Sequence, residues 1–319
     1  MFIETIASIA LATSAPTPTT ATQVAPPQSE QSEPHRLEDL VVTGRHRDAI
    51  IRDFVENVAA PVIGRPLARW RSEVCVSVLN MEPQSAHFIV ERISHVAREV
   101  GLRSGGPRCK PNLVLVASAN PAGEAQGLVQ RYRRLLTPNM TGASQGRAEL
   151  VRFQESDAPI RWWHINQVTD QNGRRAFRVP GDVPFDVDFP HEAAYVSVMP
   201  SRLWNSYSED INYAVAIFNP RELEHLTVLQ LADYLSLVTL AQISPTASTA
   251  NYDSILNVTD ANYVTEADQL TQWDWAYLKG LYTVTRTQSN LSASRVEVAN
   301  SISRAANRLN ASRESETNP

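Results

Sequence analysis

Val74-Cys75-Val76-Ser77-Val78-Leu79 and Asn112-Leu113-Val114-Leu115-Val116-Ala117 are two apolar runs of strand length. Between them Ile89, Ile93, Val96, Ala97 and Val100 recur at the spacing of one helix face. Pro83 suits the first turn of that helix and Gly101 its C-terminal cap. The stretch therefore reads strand, helix, strand. If the strands are parallel neighbours, Cys75 and Cys109 fall at the same edge of one sheet. Adjacent strands lie ~4.8 Å apart, which suits the ~5.5 Å Cα separation of a disulfide. In an exported chain these two cysteines are expected to pair. Two buried thiols or one reactive cysteine are the alternatives.

Working outward, residues 48–60 read as an amphipathic helix with Ile50, Ile51, Phe54, Val55 and Val58 inward, stopped by Pro61. Residues 122–136 read as another, with Arg131, Arg133 and Arg134 outside, and 137–146 as a turn-rich loop. Ile160–Val168 and Arg174–Val179 read as strands joined by a hairpin, because Asn172-Gly173 supplies the positive φ of a tight turn. Ala194–Met199 and Tyr213–Phe218 read as further strands. Residues 228–243 form the most apolar segment, opened by a Thr227/Gln230 capping box. Its strongly polar residues are few: Gln230, Asp233, Ser236, Thr239 and Gln242. A helix that apolar is covered on most sides and central to a core. Thr271-Gln272-Trp273-Asp274 starts a helix through Leu281, and an amphipathic helix follows over 291–309. The expected fold is α+β: a mixed sheet with flanking helices and one central apolar helix, in a single domain over 38–310.

The ends read differently. Residues 1–15 hold an apolar stretch too short for a membrane span, which needs ~20 residues. Thr13-Ser14-Ala15 supplies the small residues of a cleavage site, so the stretch reads as a secretory signal. Glu4 stands where such signals carry a base. Residues 16–37 are mostly Ala, Pro, Thr, Ser, Gln and Glu, a composition that builds no core and reads as a disordered linker. Glu38-Asp39-Leu40-Val41-Val42-Thr43-Gly44-Arg45 reads as a first edge strand. Residues 311–319 read as a polar tail. No other run is long and uncharged enough for a transmembrane helix, so the expected location is the periplasm or cell envelope.

The chain has 319 residues, 43% apolar and 20% charged, as folded domains do. A net charge of −5 argues against nucleic acid as a partner. The bases are arginines apart from Lys110 and Lys279, and read as a scattered solvated set rather than a phosphate-binding surface.

Chemistry-bearing motifs are few. There is no His-Glu-x-x-His, which would set two imidazoles one turn apart on one zinc, and His87 and His95 lie two turns apart on one helix. There is no Gly-x-Ser-x-Gly elbow, phosphate loop or dinucleotide fingerprint. The reading therefore assigns no catalytic residue, metal or cofactor. The acidic loop Asp186, Asp188, His191, Glu192 reads as solvated. Arg161-Trp162-Trp163-His164 is the most unusual run. Strand alternation sends Trp162 and His164 to one face and Arg161 and Trp163 to the other, so one indole enters the core and the second is expected to be half exposed. Exposed Trp beside Arg suits a protein, peptide or glycan partner. Asp233 alone brings a carboxylate into the apolar helix, for pairing with an arginine or for acid–base work.

The cysteine-bracketed unit resembles a group of exported bacterial proteins without an assigned activity. The likeness extends through Ile160-Arg161-Trp162-Trp163, Leu231-Ala232-Asp233-Tyr234-Leu235, Ser254-Ile255-Leu256-Asn257 and Leu270-Thr271-Gln272-Trp273-Asp274. The order of elements is also similar to that of degenerate relatives of zinc peptidases, whose intact forms carry His-Glu-x-x-His on the central helix. Here the matching stretch is Gln230-Leu231-Ala232-Asp233-Tyr234-Leu235, with neither histidine. The resemblance implies a zincin-like core that binds rather than cuts: a non-catalytic binding or structural protein of the envelope. Its protein or peptide partner would lie along the strand near Tyr213–Phe218, beside Arg161, Trp162, Trp163, His164 and Asp233. The alternative is a hydrolase with a non-standard active site built on Asp233 or His164.

Overall fold

The computed structural model describes residues 44–59, 67–132, 136, 146–170, 207–260, 267–284 and 291–317. Contacts divide the chain into residues 1–41 and 42–319, and the architecture below is that of the second part. The elements run α1 (Gly44–Asn57), β1 (Arg69–Trp70), β2 (Val76–Leu79), α2 (Pro83–Glu99), β3 (Leu113–Ala117), α3 (Pro121–Arg131), α4 (Gly146–Glu155), β4 (Ile160–Asp170), β5 (Tyr207–Phe218), α5 (Val228–Leu240), a 3-10 turn (Ile255–Thr259), α6 (Gln272–Thr283) and α7 (Leu291–Thr317).

The strand–helix–strand unit is present. Glu82 caps α2 by accepting from the amides of Gln84 and Ser85, and Gly101 leaves the helix at φ +86°. Strands β2 and β3 are parallel neighbours, Val76 opposite Leu113. The disulfide joins Cys75 to Cys109 with Cα atoms 5.9 Å apart. Gly105 lies in the loop between them, where a Cβ would fall 2.5 Å from the Cys109 sulfur.

β5 is the interior strand of a mixed, mostly parallel sheet. Antiparallel β4 pairs with it from Tyr207 to Phe218. Its other side is shared: β3 pairs in parallel with Ala214–Phe218 and β1 with Asp210–Ile211. The register slips between Ile165 and Asn166, which face Tyr213 and Ile211. Asn212 is therefore an extra residue, a bulge placed where β5 changes neighbours from β1 to β3. This corrects the expected docking of a peptide along Tyr213–Phe218. A strand hydrogen-bonded on both sides has no free backbone for an added one.

Helices cover both faces. On one, α2 and α5 lie over Leu113, Leu115, Ile160, Trp162, Ala216 and Phe218, continuous with α1, α6 and α7. Phe54 of α1 inserts edge-on among Tyr252, Trp273 and Tyr277, at ring distances of 4.9, 5.5 and 4.9 Å. On the other, Ala125 of α3 and Leu150 and Phe153 of α4 pack on Trp163, Ile165, Val215 and Ile217. Both indoles are consequently buried, Trp162 at 7% and Trp163 at 1% exposure. The expectation of a half-exposed indole fails because the sheet has two covered faces.

Other expectations shift in detail. The first helix begins at Gly44, ahead of Asp48, and takes in the Gly44-Arg45 end of the stretch read as an edge strand. Helix α4 has no counterpart among the elements the sequence pattern implies, and it begins at the end of the 137–146 turn-rich stretch. The strand ending at Phe218 starts six residues earlier, at Tyr207 rather than Tyr213. The signal, the linker, residues 38–43 of that stretch, the Arg174–Val179 and Ala194–Met199 strands and the Asp186–Glu192 acidic loop lie outside the described residues.

The arginines are not simply a solvated set. Arg161 is buried and donates to the carbonyls of Phe153, Gln154, Ser156 and Ala158, closing the C-terminus of α4. Arg69, also buried, donates to Leu281 and Val284 at the end of α6. Each cation meets the negative end of a helix whose last carbonyls have no intrahelical partner.

Candidate functional site

The central helix α5 begins with the capping box the sequence signals: Thr227 Oγ1 accepts from the Gln230 amide, and Gln230 Oε1 accepts from the Thr227 amide. Its polar side chains are committed to structure. The Gln230 amide nitrogen donates to the Ala267 carbonyl. Asp233, fully buried, accepts from Arg92 Nε at 2.6 Å and Nη2 at 2.8 Å, and from the Leu270 amide at 2.8 Å. Ser236 and Thr239 donate back to Ala232 and Leu235. Just past the helix, Gln242 accepts from the Ala68 amide. Asp233 is thus the structural partner of an arginine and the anchor of the chain entering α6.

His164 is fully buried against the last turn of α5, where it hydrogen-bonds the backbone of Val238 and Thr239. Burial pushes its pKa down to about 4, and the two backbone bonds oppose that shift. Trp163 and Arg161 point to the opposite side of the sheet, toward α4. Tyr213 is 41% exposed and sits at the bulge of β5. The six residues singled out in the sequence are therefore spread over different faces and do not form one site. His87 and His95 are exposed on α2. Among the described residues no cluster of three or more His, Cys, Asp or Glu side chains could hold a metal ion.

What the structure does assemble beside α5 is a cavity of about 370 Å³. Ile160 and Trp162 of β4, Tyr234 of α5 and Leu256 of the 3-10 turn form its inner wall. Ser244 to Thr249, apart from Thr246, and Thr259 and Asp260 supply the remainder with Ala158, Pro159 and Ile243. Trp162 is the single residue of the sequence-selected set in this wall. Tyr234 read as core, and its ring is indeed buried. It meets Trp162 edge-on at 6.2 Å. Burial pushes the Tyr234 hydroxyl up to about 12, against a hydrogen bond with Thr259.

The segment 244–260 carries no motif of known chemistry; its Ser254-Ile255-Leu256-Asn257 run enters the sequence reading as part of a resemblance and not as a site. The available signal was Pro245 directly after the apolar helix, which forces the chain to turn across the helix end. A larger cavity, about 560 Å³, lies on the opposite face between α3 and the sheet residues Val116 and Ile217. The smaller one is the candidate because it adjoins the central helix and its walls are pinned by hydrogen bonds.

No family model, no curated protein and no solved structure matches the chain. Among the described residues no helix is long and apolar enough to cross a membrane.

Proposed function

We propose that this chain is an exported, non-catalytic binding protein of the periplasm or cell envelope, with a degenerate peptidase-like core that takes a protein or peptide. One observation carries the reading. The polar side chains of the central helix are committed to caps, an ion pair and backbone bonds, while a cavity lies open beside that helix. The order of elements supports the peptidase-like part: antiparallel β4 flanks β5, and β5 leads into α5. The disulfide supports export, since such bonds persist in oxidising compartments.

The test is to incubate the purified full chain with a defined pool of unstructured peptides. Peptide masses are followed by mass spectrometry, and tryptophan emission of the wild type is compared with that of Trp162→Phe. The expected result is intact masses and a ligand-dependent emission change that Trp162→Phe removes. Cleavage of the pool, suppressed by a chelator or by Asp233→Asn, would replace this reading with that of a hydrolase. Export is checked separately by fusing residues 1–35 to a reporter active only outside the cytoplasm; an inactive fusion would remove the envelope location.

A further inference from the structure

Strand β2 is an edge of the sheet: among the described residues β3 is its single neighbouring strand. The Cys75 carbonyl accepts from the Leu113 amide, so the backbone groups of Cys75, Ser77 and Leu79 turn toward β3. Those of Val74, Val76 and Val78 turn the other way. Val74 has partners there: its amide donates to the Arg103 carbonyl at 2.9 Å, and its carbonyl accepts from the Gly105 amide at 2.8 Å. Gly105 lies against the disulfide, and the chain then turns at Gly106, whose carbonyl accepts from the Cys109 amide. Residues 103–105 thus form a shoulder that stops short of Val76. Beyond it the outward amides and carbonyls of Val76 and Val78 have no partner among the described residues. The open stretch ends at Asn80, where a φ of +60° bends the chain away. Exposed edges are guarded by charge, proline or a bulge. Val76-Ser77-Val78-Leu79 carries none of these, and its shortness is its one guard.

We propose that β2 pairs antiparallel with β2 of a second copy of this chain, about a twofold axis at Ser77. The inference stands apart from the peptide-binding reading. Centred there, Val76 of each copy lies opposite Val78 of the other. These are the residues whose backbone groups are open, and each such pair exchanges both of its bonds. The next outward pair would be Val74 with Asn80 of the other copy. Val74 is already occupied by residues 103–105 and Asn80 turns away, so the open stretch and the strand that fills it match in length. An isologous contact needs a surface that complements itself. The two ends of β2 do so in charge. Exposed Arg103, Arg108 and Lys110 outnumber exposed Glu73 at its start, and exposed Glu82 follows its end. Antiparallel pairing sets the start of each strand beside the end of the other. Leu79, 46% exposed, comes opposite Cys75 of the other copy and gains cover there. A free peptide is the weaker occupant. It must be ordered for a short run of bonds, whereas β2 of a copy is already held as a strand by β3.

The test is sedimentation velocity on the oxidised full chain at micromolar concentration. The wild type is expected to be a dimer. Ser77 is half-buried and stands opposite itself across the axis. Ser77→Lys alone and Ser77→Glu alone therefore set like charges together, and each should weaken the dimer at least about tenfold. Mixing the two variants should restore association as a heterodimer, which also shows that both fold. Val78→Pro removes an amide that points away from β3, so the β2–β3 ladder keeps its bonds. It takes one bond from each half of the pairing, and the dissociation constant should rise about thirtyfold. A monomeric wild type, a dimer indifferent to Ser77→Lys or to Val78→Pro, or a mixture of the charge variants that stays monomeric would each overturn the proposal. So would a monomer whose Val76 and Val78 amides gain hydrogen-exchange protection when the peptide pool is added, a result that would assign the edge to a peptide instead.

Discussion

Arg92→Met tests whether Asp233 is structural. The substitution keeps the unbranched stem of residue 92 and removes two charge-assisted bonds, at 2.6 and 2.8 Å. It leaves a fully buried carboxylate with the Leu270 amide as its remaining partner. Removing one member of a buried ion pair costs about 3–5 kcal/mol. The lower end applies here, because the Arg92 side chain is 19% exposed and water can reach part of the gap. A loss of about 3 kcal/mol would lower the melting temperature by roughly 6–12 °C for a domain of this size. The double variant Arg92→Met/Asp233→Leu removes both charges from an apolar helix. Its main remaining cost is the Leu270 amide without an acceptor, about 1–3 kcal/mol. The double variant should therefore be no less stable than Arg92→Met alone, a strongly non-additive result. Urea denaturation of the oxidised protein, with the midpoint and slope fitted for each variant, measures it. A loss under about 1 kcal/mol in Arg92→Met, or simple addition of the two single-variant losses, would refute the structural role of Asp233.

Three further outcomes are expected. Cys75→Ser opens a loop closed across a sequence separation of 34 residues, and chain-entropy arguments put the loss near 4 kcal/mol; an unchanged non-reducing mobility and unfolding midpoint would contradict it. Gly280→Ala sets a Cβ 2.7 Å from the Ile302 Cα and amide nitrogen where α6 crosses α7; backbone cannot swing aside, so a cost of about 1–3 kcal/mol in thermal unfolding is expected. The third concerns pH. Burial pushes Asp274 up to about 6 from 3.8, against the bonds it accepts from Ser254, Ile255 and Thr271. Its contribution is full below about pH 4 and is lost as pH rises through about 6. Burial pushes His164 down to about 4 from 6.5, so its contribution is present above about 6.5 and lost as pH falls toward 4. The two slopes oppose each other, each up to about 1.4 kcal/mol per pH unit. Between about pH 4 and 6, Asp274→Asn should make stability rise more steeply with pH, and His164→Gln should make it fall; parallel changes in both variants would sink the assignment.

The parts of the fold legible in the sequence are those in which local pattern and tertiary role agree. The strand–helix–strand unit, its Pro83 and Gly101 ends, the disulfide and both capping boxes are written in short-range residue order. Alternation in Arg161-Trp162-Trp163-His164 also gave the correct split between the two sides of β4. The burial of the second indole is not legible locally because it depends on α4, whose sequence, Gly146-Arg147-Ala148-Glu149-Leu150-Val151-Arg152-Phe153-Gln154-Glu155, has a weak apolar face of Leu150 and Phe153. The interior place of β5 was equally out of reach. It is set by pairings with β1, β3 and β4, whose partners lie tens to more than a hundred residues away in sequence. The cavity beside α5 is built from a segment without periodicity. Its walls are fixed by side-chain bonds to the backbone that no pattern announces.

Burial also changes what the conspicuous polar residues mean. Arg69, Arg161, His164 and Asp233 are the residues a search for chemistry would select, and all four are buried. Each meets backbone: Arg69 and Arg161 at helix C-termini, His164 at the last turn of α5, and Asp233 at the Leu270 amide as well as Arg92. A buried ionisable group fixed by backbone partners is costly to move and poorly placed to meet a ligand. Such groups hold β4, α5 and the start of α6 in a fixed relation, and that relation keeps Trp162 and Tyr234 at the floor of the cavity. The residues that line the cavity nearer solvent are the unremarkable ones: Ser248, Thr249, Thr259 and Asp260. Substitutions at the four buried positions should therefore act on stability, and substitutions at the rim on binding with stability largely unchanged. Measuring the melting temperature and the peptide-dependent change in tryptophan emission for both groups of variants separates a scaffold from an active site. Loss of binding in a buried variant with an unaltered melting temperature would show that the division is wrong.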